Sequence, residues 1–144
     1  MPDERTLLGF DYGTVRLGVA MGNTLLRHAR PIEIIATAEK AKRFARIEEL
    51  LVQWQPEALV VGLPLTATGG EQLATRQARR FANQLEGRFG LPVTLVDERG
   101  SSIQAQERVG NRPDDAVAAA IILQRYFDDL PSDGQLGIKT GSSA

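Results

Sequence analysis

The sequence contains no cysteine, and its 144 residues include only one histidine and one tryptophan. Without cysteine the chain can form neither disulfide bonds nor thiolate zinc sites, and it cannot use a cysteine nucleophile. It also lacks an apolar run of membrane-spanning length, and its first residues, MPDERT, carry charges where a secretory signal needs an apolar core. We therefore expect a cytoplasmic protein that has no membrane partner.

A strong charge of either sign is missing as well. The chain has 17 Lys and Arg residues against 18 Asp and Glu residues, so its net charge is -1. Any binding to nucleic acid would therefore depend on local basic patches. The length and the 42% hydrophobic content are typical of one globular domain. We predict a single domain over residues 1–130, followed by a disordered Gly- and Ser-rich tail over residues 131–144.

The spacing of apolar residues predicts an α/β domain. Two apolar runs, Thr6 to Phe10 and Val15 to Met21, flank the turn residues DYGT and favour a β-hairpin. Further strands are predicted at 32–35, 58–61 and 93–96, and helices at 39–54, 72–88, about 101–108 and 116–127. We expect Arg43 on the polar face of the first helix, and Leu73 and Ala74 on the buried face of the second. The alternating order predicts that the later strands are parallel and covered on both faces.

Acidic residues fall at the ends of three predicted elements. Asp11 ends the first strand, Asp97 and Glu98 end the last strand, and Asp114 and Asp115 start the final helix. Ligands of open α/β sheets bind beyond strand ends, so these carboxylates could converge there. Converging carboxylates repel one another unless a cation lies between them, and Mg²⁺ or Mn²⁺ prefers such oxygen ligands. Two such ions would clamp the attacking and leaving oxygens of a phosphoryl transfer.

Each acid also has a simpler interpretation. Asp114 or Asp115 could be a helix cap, and Asp11 could be a turn residue of the hairpin. Asp97 and Glu98 could form a solvated cluster at a strand end. Taken singly, none of these positions is specific, so the metal hypothesis depends on their joint arrangement.

Four stretches occur in a characteristic order over about residues 6–127. They are GFDYG with RLGVA in residues 9–20, VGLPL at 61–65 with Gly69, VDER at 96–99, and Asp115 with Ala-Ala at 118–119 and Ile-Leu at 122–123. In this order they resemble the YqgF/RuvX family of ribonuclease H-like proteins, which are associated with resolving Holliday junctions or with nuclease processing of pre-16S rRNA. The resemblance implies a ribonuclease H-like fold with a mixed central sheet and helices on both faces.

The resemblance also implies a catalytic site. Asp11, Glu98 and Asp115 would bind Mg²⁺ or Mn²⁺, with two ions per site, and activate water for phosphodiester hydrolysis. Asp97 would then be structural, because neighbouring strand residues point to opposite faces of a sheet. Between Arg99 and Asp115 the chain has only fifteen residues, GSSIQAQERVGNRPD, where the resemblance leads us to expect a longer basic segment.

The leading hypothesis is a divalent-metal-dependent endonuclease that matures the 5′ end of the 16S rRNA precursor. The first alternative is a resolvase of four-way DNA junctions, which would need a homodimer because two strands must be cut. A catalytically inactive nucleic-acid-binding protein is a further alternative. So is a phosphate-binding module related to actin-like ATPases, although one domain of this length lacks the second lobe of those enzymes.

Candidate contacts to nucleic acid are polar residues near the acids and on the second predicted helix. They are Arg16, Thr66, Gly69, Arg76, Arg80, Ser101, Ser102 and Arg112. The loop before that helix offers donors to phosphate, and the arginines supply charge. Arginines on an amphipathic helix are, however, usually just its solvated face. We expect the single histidine, His28, to be solvated and not catalytic.

Overall fold

The computed structural model describes residues 4–66, 68–98 and 114–130. Within these ranges the chain forms five strands and three helices. They are β1 (Thr6–Asp11), β2 (Leu17–Asn23), β3 (His28–Ile35), α1 (Lys40–Trp54), β4 (Ala58–Leu63), α2 (Leu73–Phe89), β5 (Val93–Asp97) and α3 (Asp115–Asp128). The helix predicted at about 101–108 and the tail predicted at 131–144 lie outside the described residues.

The strands form one mixed sheet in the order β3-β2-β1-β4-β5. β1, β2 and β3 pair antiparallel, whereas β4 lies parallel to both β1 and β5. The predicted hairpin and the predicted parallel strands are therefore both present. β3 begins at His28, four residues before the predicted start, and includes Pro31. Proline is tolerated there because β3 is an edge strand, whose outer side needs no backbone donor.

One face of the sheet is covered by α1 and α2. Both helices have the apolar spacing of amphipathic helices, and they bury a cluster built around Phe10, Phe44 and Phe81. The ring of Phe81 lies 5.8 Å from that of Phe10 and 5.9 Å from that of Phe44. Trp54 also packs against this cluster.

The other face is covered by α3. Its buried residues are mostly small or aliphatic, and the set is Ala116, Ala118, Ala119, Ala120, Ile122, Leu123 and Phe127. They pack on the sheet residues Leu7, Ala20, Val60 and Val96. The prediction of helices on both faces is thus confirmed. In the described ranges, no helix combines the length and the apolar character that crossing a membrane requires.

Three side chains do not lie where the periodicity predicts. Leu73 is 62% exposed and Ala74 is exposed, because the inward position of this turn belongs to the buried Thr75, whose hydroxyl donates to the carbonyl of Pro64. Arg43 is buried, not solvated. Its Nε donates to the carbonyl of Thr37 at 3.1 Å. The guanidinium also lies 5.4 Å from the centroid of the Tyr12 ring, whereas its buried Nη2 has no hydrogen-bond partner in the part of the chain that the structure describes.

Candidate active site

The alternation of strand residues places two acids on the face that α3 covers. Leu7 on β1 and Val96 on β5 both pack beneath α3. Asp11 and Glu98 lie an even number of residues further along and so share that face. Both positions are at the carboxyl ends of strands that run in the same direction, and therefore at the same end of the sheet. By the same alternation Asp97 shares the face of Leu95, which packs against the cluster beneath α1 and α2. Its structural role stays a prediction.

The first turn of α3 brings the third acid to the same place. Asp114 is the N-cap, and its Oδ1 accepts a hydrogen bond from the backbone N–H of Val117 at 2.8 Å. The helix-cap interpretation therefore holds for Asp114 and leaves Asp115 as the first helical residue. A Cβ built on Gly18 would lie only 1.8 Å from the carbonyl oxygen of Asp115. Because Gly18 pairs directly with Asp11, the start of α3 rests beside that carboxylate.

A second glycine borders Asp11 on its other side. The parallel register of β1 and β4 pairs Phe10 with Val61, so Gly62 follows next to Asp11. A Cβ built on Gly62 would lie 2.5 Å from Oε2 of Glu98. Asp11 is thus flanked by two glycines, and each makes room for the element that carries another acid. Glycine inside a strand often marks such a close approach.

These positions suit a divalent metal by the chemistry of their donors. All three acids offer carboxylate oxygens, which Mg²⁺ and Mn²⁺ prefer. Glu98 is only 8% exposed, whereas Asp11 and Asp115 are half-buried. In residues 4–66, 68–98 and 114–130, no three His, Cys, Asp or Glu side chains are already gathered tightly enough to hold one ion. The backbone therefore brings the acids to one end of the sheet, and their side chains would still have to turn inward around a cation.

Arg16 lies next to this group of acids. Its Nη1 is 4.0 Å from Oδ2 of Asp115, and its side chain is 67% exposed. An ion pair of this length and exposure contributes little to stability. The guanidinium therefore keeps most of its donors directed toward solvent, beside the carboxylates.

The loop before α2 uses several of its own donors. The backbone N–H of Gly69 donates to the carbonyl of Thr66 at 2.9 Å, and that of Gly70 donates to the Thr66 hydroxyl at 2.8 Å. Gly69 has φ of 93°, a conformation that favours glycine. In this conformation the two N–H groups shape the loop and are not directed at a ligand.

Two of the remaining predicted contacts to nucleic acid lie on α2, and three lie outside the described residues. Arg76 and Arg80 are exposed on α2 and lie one helical turn apart, so they point the same way, while Arg79 between them pairs with Glu71. His28 is exposed, as expected. The predicted contacts at Ser101, Ser102 and Arg112 lie outside the described residues.

Sequence reasoning did not assign a role to Gly18 or Gly62. Both were visible in the motif, and the available signal was a glycine within a run that otherwise reads as a buried strand. What was missing was the partner of each glycine, because the contacts with Asp115 and Glu98 join segments that are far apart in the chain.

Comparisons with known proteins agree with the resemblance seen in the sequence. A family model described as "RuvX: Holliday junction resolvase" matches residues 5–129. A protein of Bordetella petrii named "Putative pre-16S rRNA nuclease" is 63% identical over 132 residues, which are 91% of this chain and 100% of the relative. A protein of the same name from Paraburkholderia phytofirmans is 53% identical over 135 residues and covers 90% of this chain and 92% of the relative.

Solved structures with the same fold are more distant in sequence. Thermus thermophilus RuvC in complex with a Holliday junction substrate has a TM-score of 0.53 at 22% identity, covering 85% of this chain and 93% of that one. The fowlpox virus Holliday junction resolvase has a TM-score of 0.53 at 12% identity, covering 87% and 99%. At these identities the likeness concerns the fold alone, and it confirms the predicted ribonuclease H-like sheet.

Proposed function

The chain is a nuclease that belongs to the RuvX Holliday junction resolvase family, and we propose that it is a divalent-metal-dependent endonuclease that processes the 5′ end of precursor 16S rRNA in the cytoplasm. The observation that supports the metal dependence is that the backbone carries Asp11 at the end of β1, Glu98 directly after β5 and Asp115 at the start of α3 to one end of the sheet. RNA is favoured as the substrate because relatives with up to 63% identity over almost the whole chain are named for that substrate.

The three acids would hold the metal, with two ions per site. A bound Mg²⁺ or Mn²⁺ supplies a nucleophilic water at neutral pH and stabilises charge on the phosphate oxygens. Asp11 and Glu98 stand on or directly beside strands, which hold ligands to closer tolerance than loops do. Glu98 is buried, so few rotamers would be open to its side chain as it turns toward a cation.

Basic residues around the acids would bind the substrate backbone. Arg16 presents its exposed guanidinium beside Asp115, where a phosphate oxygen can replace the 4.0 Å ion pair. Arg76 and Arg80 would add contacts along α2, since α2 follows the loop at the same end of the sheet. Thr66 and Gly69 would act by shaping that loop. The contacts predicted for Ser101, Ser102 and Arg112 remain part of this proposal.

The test is a cleavage assay on two substrates, a labelled 5′ fragment of precursor 16S rRNA and a four-way DNA junction, each with Mg²⁺, Mn²⁺ or EDTA. The variants are Asp11→Asn and, as a matched control, Asp114→Asn. We expect metal-dependent cutting of the RNA and a loss on the order of 100-fold or more in Asp11→Asn. Asp114→Asn should cut within about twofold of wild type, because asparagine caps a helix as well as aspartate does.

The other outcomes identify the alternatives. Preferred cutting of the DNA junction would favour junction resolution, which needs two active sites and hence a homodimer, detectable by light scattering. The family description favours this second candidate. If neither substrate is cut with any metal while both wild type and Asp11→Asn bind nucleic acid equally well, the protein is a binding protein and the proposed chemistry is wrong.

A further inference from the structure

Gly62 lies between the strands that carry two of the acids. It is buried near the carboxyl end of β4, with β1 on one side and β5 on the other. Its registered partner on β5 is Val96, two residues before Glu98. Gly62 shares the α3 face with Val60, which precedes it by two residues and packs in the cluster beneath α3. This face of β4 therefore accommodates the side chain of Val60. Glycine occurs two residues later, at the end of the strand that lies beside the acids.

A methyl group at position 62 would meet two side chains. Its Cβ would lie 2.4 Å from Cδ1 of Ile122 and 2.5 Å from Oε2 of Glu98, both well inside contact distance. Ile122 is 2% exposed and Glu98 is 8% exposed, so neither side chain has much free space around it. A displaced carboxylate is solvated by water when it moves outward, whereas a displaced Ile122 would expose apolar surface. The carboxylate of Glu98 is therefore the group that the added methyl group would push out of place.

We propose that Gly62 is a positioning residue for Glu98. Its lack of a side chain lets the carboxylate lie over β4, toward Asp11 and the start of α3, and so sets the metal affinity of the site. This inference depends on the proposed metal-dependent function, because it assigns Glu98 as a ligand. It adds to that function by naming a residue that touches no substrate and still determines whether the three acids can act on the same ion.

The experiment compares Gly62→Ala with Gly9→Ala. Gly9 lies on the same sheet face, and a Cβ there would meet Cβ of Leu123 at 2.9 Å and the carbonyl oxygen of Ala119 at 3.3 Å, but no acid. Both variants should lose stability through crowding under α3. Mn²⁺ binding without nucleic acid is measured by titration calorimetry, below the melting temperatures of all variants. We expect the Mn²⁺ dissociation constant to rise about 10- to 100-fold in Gly62→Ala, as it does when a group that orients a ligand is changed. Gly9→Ala should stay within about threefold.

A double variant separates the two contacts of the added methyl group. Gly62→Ala with Ile122→Val removes the closest Ile122 contact, Cδ1 at 2.4 Å, and keeps Cγ1 at 3.0 Å, so it should recover part of the lost stability. It also serves if Gly62→Ala alone does not fold. The weak Mn²⁺ binding should persist, because the contact with Glu98 remains. Wild-type affinity in either Gly62→Ala protein would overturn the role of Gly62. If wild type itself binds no Mn²⁺, the proposed metal site fails as well, whereas wild-type binding that Asp11→Asn abolishes supports the site independently of Gly62.

Discussion

The two faces of the sheet are packed with residues of different size. On the face covered by α1 and α2, the ring of Phe81 contacts the rings of Phe10, Tyr12 and Phe44, with centroids 5.0 to 5.9 Å apart. The face covered by α3 has larger aliphatic residues too, but glycines on the strands and a run of buried alanines on the helix, Ala118 to Ala120, lie among them.

This difference in size determines how close each helix comes to the sheet. Large side chains keep backbones apart, and they fill the space between with many weak contacts. Glycine lets α3 approach so closely that its backbone at Asp115 occupies the space of a Cβ on Gly18. Asp11 and Glu98 lie on that face, so the close approach of α3 brings Asp115 to the same end of the sheet. We expect the aromatic face to contribute mainly stability.

The largest effect is expected on catalysis. It distinguishes Glu98 from its neighbour Asp97, and the side chains of these two residues point to opposite faces of the sheet. Glu98→Gln should lower kcat/KM by a factor on the order of 100 to 1000, because it removes the negative charge of a proposed metal ligand that is buried. Asp97→Asn should lower it by less than about threefold. The measurement is steady-state cleavage with saturating Mn²⁺. Equal losses in the two variants would show that the division between the faces does not govern the chemistry.

The next effect concerns stability on the α3 face. Gly18→Ala should lower the free energy of unfolding by about 3 kcal/mol, because its methyl group would overlap backbone atoms of Asp115, which cannot rotate away. The control is Gly87→Ala in α2, where an added Cβ meets nothing within 4 Å. Alanine should stabilise that helix by about 0.5 to 1 kcal/mol. Urea unfolding at 25 °C measures both changes, and a Gly18→Ala protein as stable as wild type would contradict the close approach of α3.

Local patterns predicted most of the fold, and long-range contacts account for what they missed. The apolar spacing and turn residues predicted the hairpin, the alternating elements and the two-sided packing. An acid placed just before the last helix predicted the cap, which is Asp114. The spacing could not show that Thr75 takes the inward position in place of Leu73, because its partner Pro64 lies in another segment. Arg43 is a different case, because the Thr37 carbonyl that accepts from its Nε lies in the turn just before α1, and the helical period carries no signal of that bond.

The same limit applies to the candidate site. The acids Asp11, Glu98 and Asp115 were identified because each belongs to a sequence motif, and a motif specifies which residue type stands at each of its positions. The roles of Gly18 and Gly62 depend instead on how α3 and the end of β5 lie against the strands. That information exists only once segments far apart in the chain have packed together.

The smallest effect is expected on the aromatic face. Phe81→Leu replaces a buried ring with a side chain of similar volume, so it should cost only about 1 to 1.5 kcal/mol of unfolding free energy, after neighbouring side chains repack. Its Mn²⁺ dissociation constant should stay within about twofold of wild type. Tyr12 and Phe10 are routes by which this change could reach the site, because their rings lie 5.0 and 5.8 Å from that of Phe81 and they flank Asp11 in the chain. Mn²⁺ binding weakened as strongly as in Gly62→Ala would therefore show that the aromatic cluster also positions Asp11, and that the two faces are not independent.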